Sequence, residues 1–437
     1  MRKPALLALS TAVLALVGTA VWLIWFRDTI PKLEPDPSVQ YTPPADAPST
    51  AAPGEWPQWR GPNRNSTSLE SDWSSTWPAD GPPKLWRAQI GAGYAAVAVS
   101  KGKLYALGNA DGKDTLRCLD AETGKEVWTL SHPERLESGG YPGPRATPTV
   151  DAGRVYTLSL GGELRCVDAE KGTLLWSHHL VKEVKAKLPQ WGAASSPLIE
   201  GNLVIVFGGG KAEVAAFEKT SGKLAWTALE EPGGYASPVA FTHQGQRALG
   251  VLTGRTLVAL DFTHGTELFR QTFKNGNEIN ASDPIFAEGQ VFVANGYNGK
   301  SALLQLGAGA PAVVWENQEL MIHFNTAVRH EGYLYGTSGQ VNASGGAFKC
   351  IDWKTGAVAW SKENLFASAL RAGNRLVLLE RNGALVVAEA SPKAYKELAR
   401  AQVLGGECWT MPVLANGRIY VRNKTGELVC LDVRAAK

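Results

Sequence analysis

Three carboxylates, Glu278, Asp283 and Glu407, are the residues of this 437-residue sequence that could support metal-dependent redox chemistry. Each lies within six residues before Pro284 or Pro412, which begin short β-type runs. Calcium needs six to eight oxygen ligands, and an aspartate could serve as a catalytic base. The seven histidines are scattered without metal-ligand spacing. Because the sequence does not determine how the three carboxylates are arranged in space, we assign no catalytic, cofactor-binding or metal-ligating residue.

The elements that position these residues are internal repeats. "LRCLDAETGKEVW" (116–128) returns as "LRCVDAEKGTLLW" (164–176), and the repeat continues at 43 to 50 residues. Such a period indicates a propeller or a solenoid, and each unit holds short alternating runs between Gly, Asp and Asn turns, as strands do. We predict an all-β fold, an eight-bladed β-propeller. The residues assigned to contacts between blades are Trp86, Trp128, Trp176, Trp226, Phe269, Trp315 and Trp360.

The eighth unit ends after three strands at the carboxyl terminus, and "PPKLWRAQI" before the first unit offers the missing fourth strand. Pairing the two chain ends would close the ring and remove exposed sheet edges. In the repeat turn, Asp120 and Thr123 are predicted to bond the backbone, while Gly124 supplies positive φ and Trp128 fills the space between blades.

The cysteines follow the same register. Ten residues before the terminal aromatic the units carry Cys118, Cys166, Ala216, Ala259, Gln305 and Cys350, and the last two units place Ala388 and Cys430 there. Cysteine alternates with alanine at this position, so it is interpreted as a small buried hydrophobe. With Cys408 left over, we predict no disulfides.

The amino-terminal region divides into three predicted segments before the propeller, which is assigned to residues 82–437. Residues 1–30 contain 22 uncharged residues from Ala5 to Phe26, about 33 Å as a helix, and are predicted to be a signal anchor. Residues 31–55 contain seven prolines and are predicted to be a stiff spacer. Residues 56–81, which begin "WPQWRGPNRNS", are predicted to be a tryptophan-rich latch on the propeller.

These segments predict an inner-membrane anchor with the propeller in the periplasm or outside the cell. Secretion after signal cleavage is the alternative. The net charge of +3 arises from 44 basic and 41 acidic residues spread evenly along the chain. We therefore expect no nucleic-acid partner, and we expect a monomeric propeller.

The motif "LDAETGKEVW" resembles the tryptophan-docking motif of pyrroloquinoline-quinone-type propeller repeats. Quinoprotein alcohol dehydrogenases and the outer-membrane assembly factor of BamB type share that repeat. The extended pattern, with "GPRATPTV" and "WGAASSPLIEGNLVIV", is similar to envelope propellers of unsettled activity. The resemblance implies eight blades; its dehydrogenase members also imply a quinone above a calcium ion.

The channel mouth is the predicted binding site, because the loop entering each innermost strand opens onto one face of a propeller. In five units a proline marks the innermost strand, and the residue three positions before it is taken as the mouth position. Extending this register to all eight units gives Tyr94, Arg145, Ala194, Tyr235, Ala281, Phe324, Leu365 and Trp409. This ring of positions is aromatic with one arginine and has no carboxylate. Adding neighbours, the candidate binding residues are Tyr94, Arg145, Trp191, Tyr235, His323, Phe324, Asn325 and Trp409.

The sequence thus favours a non-catalytic envelope scaffold that binds a protein or peptide and carries no cofactor. One alternative is an alcohol or sugar dehydrogenase dependent on pyrroloquinoline quinone and calcium. Another is a polysaccharide-binding module. Equally, the aromatic residues could simply fill the channel.

Overall fold

The computed structural model describes residues 32–44, 54–78, 80–135, 137–138, 140–341 and 346–435. The predicted membrane anchor, residues 1–30, lies outside them. Within the described ranges, no helix combines the length and apolar character that crossing a membrane requires.

Eight four-stranded antiparallel sheets form the eight blades, which confirms the predicted fold class. From the inner to the outer edge, the first four blades are β3 (Ala98–Ser100), β4 (Lys103–Ala110), β5 (Lys113–Asp120), β6 (Glu126–Pro133); β9 (Thr149–Asp151), β10 (Arg154–Leu158), β11 (Glu163–Asp168), β12 (Leu174–His179); β13 (Leu198–Glu200), β14 (Leu203–Phe207), β15 (Val214–Glu218), β16 (Leu224–Ala228); and β17 (Val239–His243), β18 (Gln246–Leu252), β19 (Thr256–Asp261), β20 (Glu267–Thr272).

The remaining blades have the same order. They are β21 (Ile285–Ala287), β22 (Gln290–Ala294), β23 (Ser301–Gln305), β24 (Ala312–Asn317); β25 (Val328–His330), β26 (Tyr333–Ser338), β27 (Ala347–Asp352), β28 (Val358–Glu363); β29 (Ala367–Ala372), β30 (Arg375–Glu380), β31 (Ala384–Glu389), β32 (Glu397–Gln402); and β33 (Val413–Ala415), β34 (Arg418–Arg422), β35 (Glu427–Asp432), β2 (Lys84–Gln89). Outside this pattern lie β1 (Thr67–Ser68), the hairpin β7 (Glu137–Ser138) and β8 (Tyr141–Pro142), and the short helix α1 (Leu180–Glu183).

The ring closes as predicted, because β2 from the amino-terminal side is the outer strand of the last blade. It pairs antiparallel with β35, and Trp86 lies opposite Cys430. The same cross-strand pair recurs as Cys118 with Trp128 and Cys166 with Trp176. A β-bulge follows the small residue in each case, so the repeat encodes both the register and the local twist.

The predicted small position is wrong in the fifth unit. Leu303, not Gln305, lies opposite Trp315, and Gln305 pairs with Ala312 nearer the turn. Leu303 and Trp315 are twelve residues apart, whereas Cys118 and Trp128 are ten apart, so counting back ten residues from Trp315 stops two residues short of its partner. The five cysteines are all buried free thiols.

Each terminal tryptophan docks on the turn of the next blade. The indole Nε1 of Trp128 donates to the carbonyl of Ala169 at 3.1 Å, and that of Trp86 donates to Ala121 at 3.3 Å. Gly124 has φ +70°, and a Cβ there would lie 2.5 Å from the Trp86 ring. Glycine is therefore needed both for the backbone conformation and for the space that the indole occupies.

The hydrophobic core is divided among the spaces between neighbouring blades. Middle strands such as β14 are buried along their whole length, whereas outer strands such as β12 are half exposed. One cluster joins the second and third blades around Tyr156 and Phe217. The largest joins the first, seventh and eighth blades and includes Trp56 of the latch. Burial at this seam fixes the closure of the ring.

The spacer prediction is wrong for the described residues 32–44, which lie on the propeller. The amide of Leu33 donates to the Glu183 carbonyl, and the amide of Asp36 donates to that of Leu224. Tyr41 stacks on Phe262 with ring centroids 5.3 Å apart. Leucine, valine and tyrosine between the prolines supply apolar contacts that the proline count concealed, so this part of the segment packs along the blades.

Candidate binding site at the propeller mouth

All eight candidate binding residues line one cavity. It encloses about 1200 Å³, counted to the solvent at its open end. Ala194 and Ala281 of the predicted ring line it as well. The prediction of Leu365 is wrong: this side chain is 3% exposed and packs in the core between the sixth and seventh blades. Ser368 and Ala369 line the cavity instead.

Eight aromatic rings form a continuous arc around the mouth. Its residues, in order of contact, are Tyr235, Trp191, Tyr141, Tyr94, Trp409, Phe324, His323 and Tyr297. Tyr94 and Trp409 are stacked at a centroid distance of 5.0 Å, and Phe324 lies 5.2 Å from Trp409. Such contacts add about 0.5–1.5 kcal/mol per pair beyond burial, so the rings hold each other in place.

Tyr141 is a member of the arc that sequence reasoning missed, because it lies in an inserted hairpin and outside the repeat register. Arg145 supports this insertion: its guanidinium donates to the carbonyls of Gly143 at 2.9 Å and Tyr141 at 3.1 Å. It also lies 5.9 Å from the centre of the Tyr94 ring. Burial lowers the pKa of Arg145 to about 10, so it is still a cation at neutral pH.

Burial keeps three polar groups of the arc, His323, Tyr94 and Tyr235, neutral at pH 7. Burial lowers the pKa of His323 to about 4. Its Nδ1 accepts from the Val341 amide at 3.3 Å, which leaves the proton on Nε2, 2.9 Å from the Tyr297 hydroxyl. Burial raises the pKa of Tyr94 and Tyr235 to about 12. Asn325 donates to the Ala367 carbonyl at 3.2 Å and thereby tethers its loop to the next blade.

The latch closes the cavity from below. Trp59, Arg60 and Ser66 line the cavity floor, and Trp56 forms an antiparallel bridge with Val99 of the inner strand β3. β1 pairs in parallel with β29, the inner strand of the seventh blade. Residues 56–68 of the latch therefore run along the innermost strands, and Trp73 and Ser74 then pair with Arg434 and Val433 after β35.

Asp283 joins this floor to the blades. Its Oδ2 accepts from Trp59 Nε1 at 2.7 Å and from the Arg60 guanidinium at 3.4 Å, and its Oδ1 accepts from the Ser237 amide at 2.7 Å. The Asp283 and Arg60 side chains are each 3% exposed. The expectation of a mouth without carboxylates thus holds for the register positions but not for the cavity, because Asp283 lies two residues farther along the chain.

Asp283 belongs to a belt of polar side chains that links neighbouring blades. The Ala96 amide donates to Thr147 Oγ1, the Thr147 amide to Ser196 Oγ, and the Ser196 amide to Ser237 Oγ, at 2.9–3.0 Å. Asp283 takes the next place, where other blades use a hydroxyl.

The belt also explains the error at Leu365. Mouth residues precede the belt by two positions, so the corresponding residue of the seventh unit is Phe366, two before Ser368. The first, sixth and seventh units all lack the strand proline, and in the seventh the extended register was one residue early.

The three carboxylates considered for calcium do not share a site. Arg60 engages Asp283, Arg255 engages Glu278 at 2.7 Å, and Lys424 and Arg381 engage Glu407 at 2.7 and 3.4 Å. Glu407 lines a different cavity. Since calcium requires several oxygen ligands around one point, these residues do not fit the calcium site that a quinoprotein dehydrogenase would need.

The sequence matches the family described as outer membrane protein assembly factor BamB over residues 72–139 and 112–362. The assembly factor BamB of Yersinia pestis is 22% identical over 376 residues, which cover 79% of this chain and 87% of that protein. The structure of BamB from Moraxella catarrhalis aligns with a TM-score of 0.60 at 15% identity, over 80% of this chain and 100% of that one.

A quinohemoprotein alcohol dehydrogenase, ADHIIG from Pseudomonas putida HK5, aligns with a TM-score of 0.61 at 13% identity. The alignment covers 88% of this chain and 81% of that chain. At such identities the structural likeness extends to the fold alone, for this enzyme and for the assembly factor. The family match rests on the sequence.

Proposed function

Because the chain belongs to the family of outer membrane protein assembly factor BamB, we propose that it is a non-catalytic scaffold of the cell envelope. In this proposal it binds an extended segment of a partner protein at the propeller mouth and takes part in the assembly of outer-membrane proteins. The observation that carries the proposal is the arc of eight aromatic rings around a cavity with a closed floor.

The arc has the features of a protein-binding surface. Tryptophan, tyrosine and arginine are enriched at the energetic centres of interfaces, and rigid rings lose little entropy on binding. Tyr94, Trp191 and Trp409 are half-buried, so each keeps a face for a ligand. The buried Nε1 of Trp409 has no hydrogen-bond partner among the described residues, and a carbonyl of a bound segment would supply one.

The family also supports an envelope location, and we propose that residues 1–30 tether the propeller to the inner membrane. The propeller would then face the periplasm or the exterior. Separation of membrane and soluble fractions, for the full chain and for a chain lacking residues 1–30, tests this; recovery of the full chain in the soluble fraction would favour secretion after cleavage.

Trp409→Ala is expected to weaken partner binding by about 2 kcal/mol, or about 30-fold in Kd, because it removes the ring that contacts three others in the arc. Arg145→Ala should also weaken binding, since the carbonyls of Gly143 and Tyr141 lose their donor. Quantitative cross-linking and pull-down from envelope extracts would measure both effects. Leu175→Ala, on the exposed outer strand β12, is the control. If both mouth variants retain the partners of the control, the mouth is not the interface.

Pyrroloquinoline quinone with calcium is expected neither to stabilise the protein nor to support dye reduction with alcohols or sugars. The carboxylates that could bind calcium are already paired with other side chains, and the latch occupies the cavity floor. Thermal shift and a dye-reduction assay measure this on the same preparation. A quinone-dependent shift together with turnover would establish the dehydrogenase alternative. Binding on a glycan array that Trp409→Ala abolishes would instead favour the polysaccharide module.

A further inference from the structure

A buried cluster of potential metal ligands lies outside the mouth, between the first and second blades. Asp114 in β5 is directly opposite His132 in β6, and Glu134 follows that strand. One ligand atom from each side chain lies within 4.8 Å of the other two. Among the described residues this is the one such group of three or more. The three side chains could therefore converge on a common ion.

Buried polar atoms without partners distinguish this cluster from an ordinary polar contact. Asp114 is fully buried and His132 is 8% exposed. Oδ2 of Asp114, Nε2 of His132 and Oδ1 of Asn109 have no hydrogen-bond partner among the described residues. Asn109 lies opposite Asp114 on β4 and donates its amide to Asp114 Oδ1 at 2.7 Å. An unpaired buried polar atom costs about 1–3 kcal/mol, so three of them at one place call for a bound partner such as a cation.

The second blade holds the Glu134 carboxylate in position. Oε2 accepts from Ser159 Oγ at 2.5 Å and from the Gly161 amide at 3.1 Å. Such contacts behind a ligand orient it toward a metal. Among the described residues neither Asp114 nor Glu134 forms an ion pair, and the nearby Arg165 is engaged by Glu163 at 2.9 Å. Two carboxylates thus lack a compensating side-chain cation.

We infer that Asp114, His132 and Glu134 form a zinc site that joins the first two blades. One imidazole nitrogen and two carboxylate oxygens match the ligands that zinc takes in proteins, at about 2.0–2.2 Å, and the present spacing allows closure by small side-chain rotations. Zinc fits better than calcium, because calcium prefers an all-oxygen set and the histidine supplies nitrogen. Asn109 Oδ1 is available as a further ligand.

The electrostatics agree with this assignment. Burial raises the pKa of Asp114 to about 7, against the lowering effect of the Asn109 amide. Burial and the Arg165 charge lower the pKa of His132. Zinc binds the deprotonated forms of these side chains, and a bound cation would offset the cost of a carboxylate in the protein interior.

The test uses the purified full chain, freed of metal with EDTA and then given zinc chloride alone. We expect one zinc per chain by elemental analysis after gel filtration, and a rise of a few degrees in Tm at saturating zinc. Asp114→Asn keeps the acceptor for Asn109 and removes the charge, so its metal-free form should fold. Its zinc affinity should fall by about a hundredfold or more, as should that of His132→Gln.

His264→Gln, which changes an exposed histidine on a turn of the fourth blade, is the matched control and should bind zinc like the wild type. Absence of zinc binding by the wild type would overturn the site. Wild-type zinc affinity in both Asp114→Asn and His132→Gln would also overturn it, because the zinc would then lie elsewhere. If Asp114→Asn fails to fold, His132→Gln alone decides between these outcomes.

Discussion

Asp283→Ala is expected to lower the free energy of unfolding by about 3–5 kcal/mol, the range for removing one partner of a buried ion pair. The change leaves the Arg60 guanidinium charged and 3% exposed. It also removes the acceptor of Trp59 Nε1 and of the Ser237 amide. One substitution therefore breaks both the anchor of the latch and one link of the polar belt.

Asp283 has two roles, the ion pair with Arg60 and the hydrogen bond to the Ser237 amide in the belt. A second set of variants separates their contributions to stability. Asp283→Ser supplies the hydroxyl that other blades use, so it should recover the Ser237 contact but not the ion pair. Adding Arg60→Met removes the uncompensated charge, and the double variant should be more stable than Asp283→Ser. Urea unfolding followed by tryptophan fluorescence gives the free energies, and the cycle gives the coupling.

Asp72→Ala is the control, because this carboxylate is exposed in the same amino-terminal segment. Its effect should stay within about 0.5 kcal/mol. If Asp283→Ala were no more destabilising than the control, Asp283 would not anchor the latch. If Arg60→Met failed to offset Asp283→Ser, the ion pair would not be the source of the loss.

Arg422→Ala is the second substitution with a large expected effect, of at least about 3 kcal/mol. Arg422 lies in β34 of the last blade, is 2% exposed, and donates to the carbonyls of Gly91, Ala95 and Leu107 at 2.9–3.0 Å. These carbonyls belong to the first blade and the segment leading into it. Each buried acceptor that loses its partner costs about 1–3 kcal/mol, and deletion of the side chain also leaves a cavity.

The loss should be concentrated at the seam where the chain ends meet. Urea unfolding measures its size, and limited proteolysis should show earlier cleavage near β2 and β35 than in the wild type. Arg434→Ala, an exposed arginine that pairs with Asp432, is the control near the same seam. Equal stability of the two variants, or uniform cleavage around the ring, would show that Arg422 does not secure the closure.

Much of the site was predictable because the strand proline fixes a register. Tyr94, Arg145 and Trp409 were found by counting from one blade to the next, and they line the cavity. Prediction failed where the local signal was lost. The register extended to the seventh unit, which has no such proline, was one residue early, although the same extension succeeded in the first and sixth units. In the fifth unit, two extra residues in the hairpin displaced Gln305 from the tryptophan pair.

Contacts that depend on non-repeating segments were not predictable in the same way. Tyr141 enters the arc from an inserted hairpin. Residues 32–44 pack on the blades through Leu33, Val39 and Tyr41, although their proline content resembles that of a free spacer. No periodic pattern relates these segments to their partners, so only the tertiary structure reveals the contacts.

The sequence by itself determined the repeat, the eight-bladed ring, its closure by the strand around Trp86 and most of the aromatic mouth. These features follow from strand periodicity, turn chemistry and side-chain size, which act within about 50 residues and recur in each unit. The tertiary structure decided what stands at the floor and between the blades. Asp283 meets Trp59 and Arg60 across 224 and 223 residues, and Glu134 meets Ser159 across a blade boundary. Such pairings arise from how the ring packs around the latch, and the charge of one residue does not reveal which distant group will neutralise it.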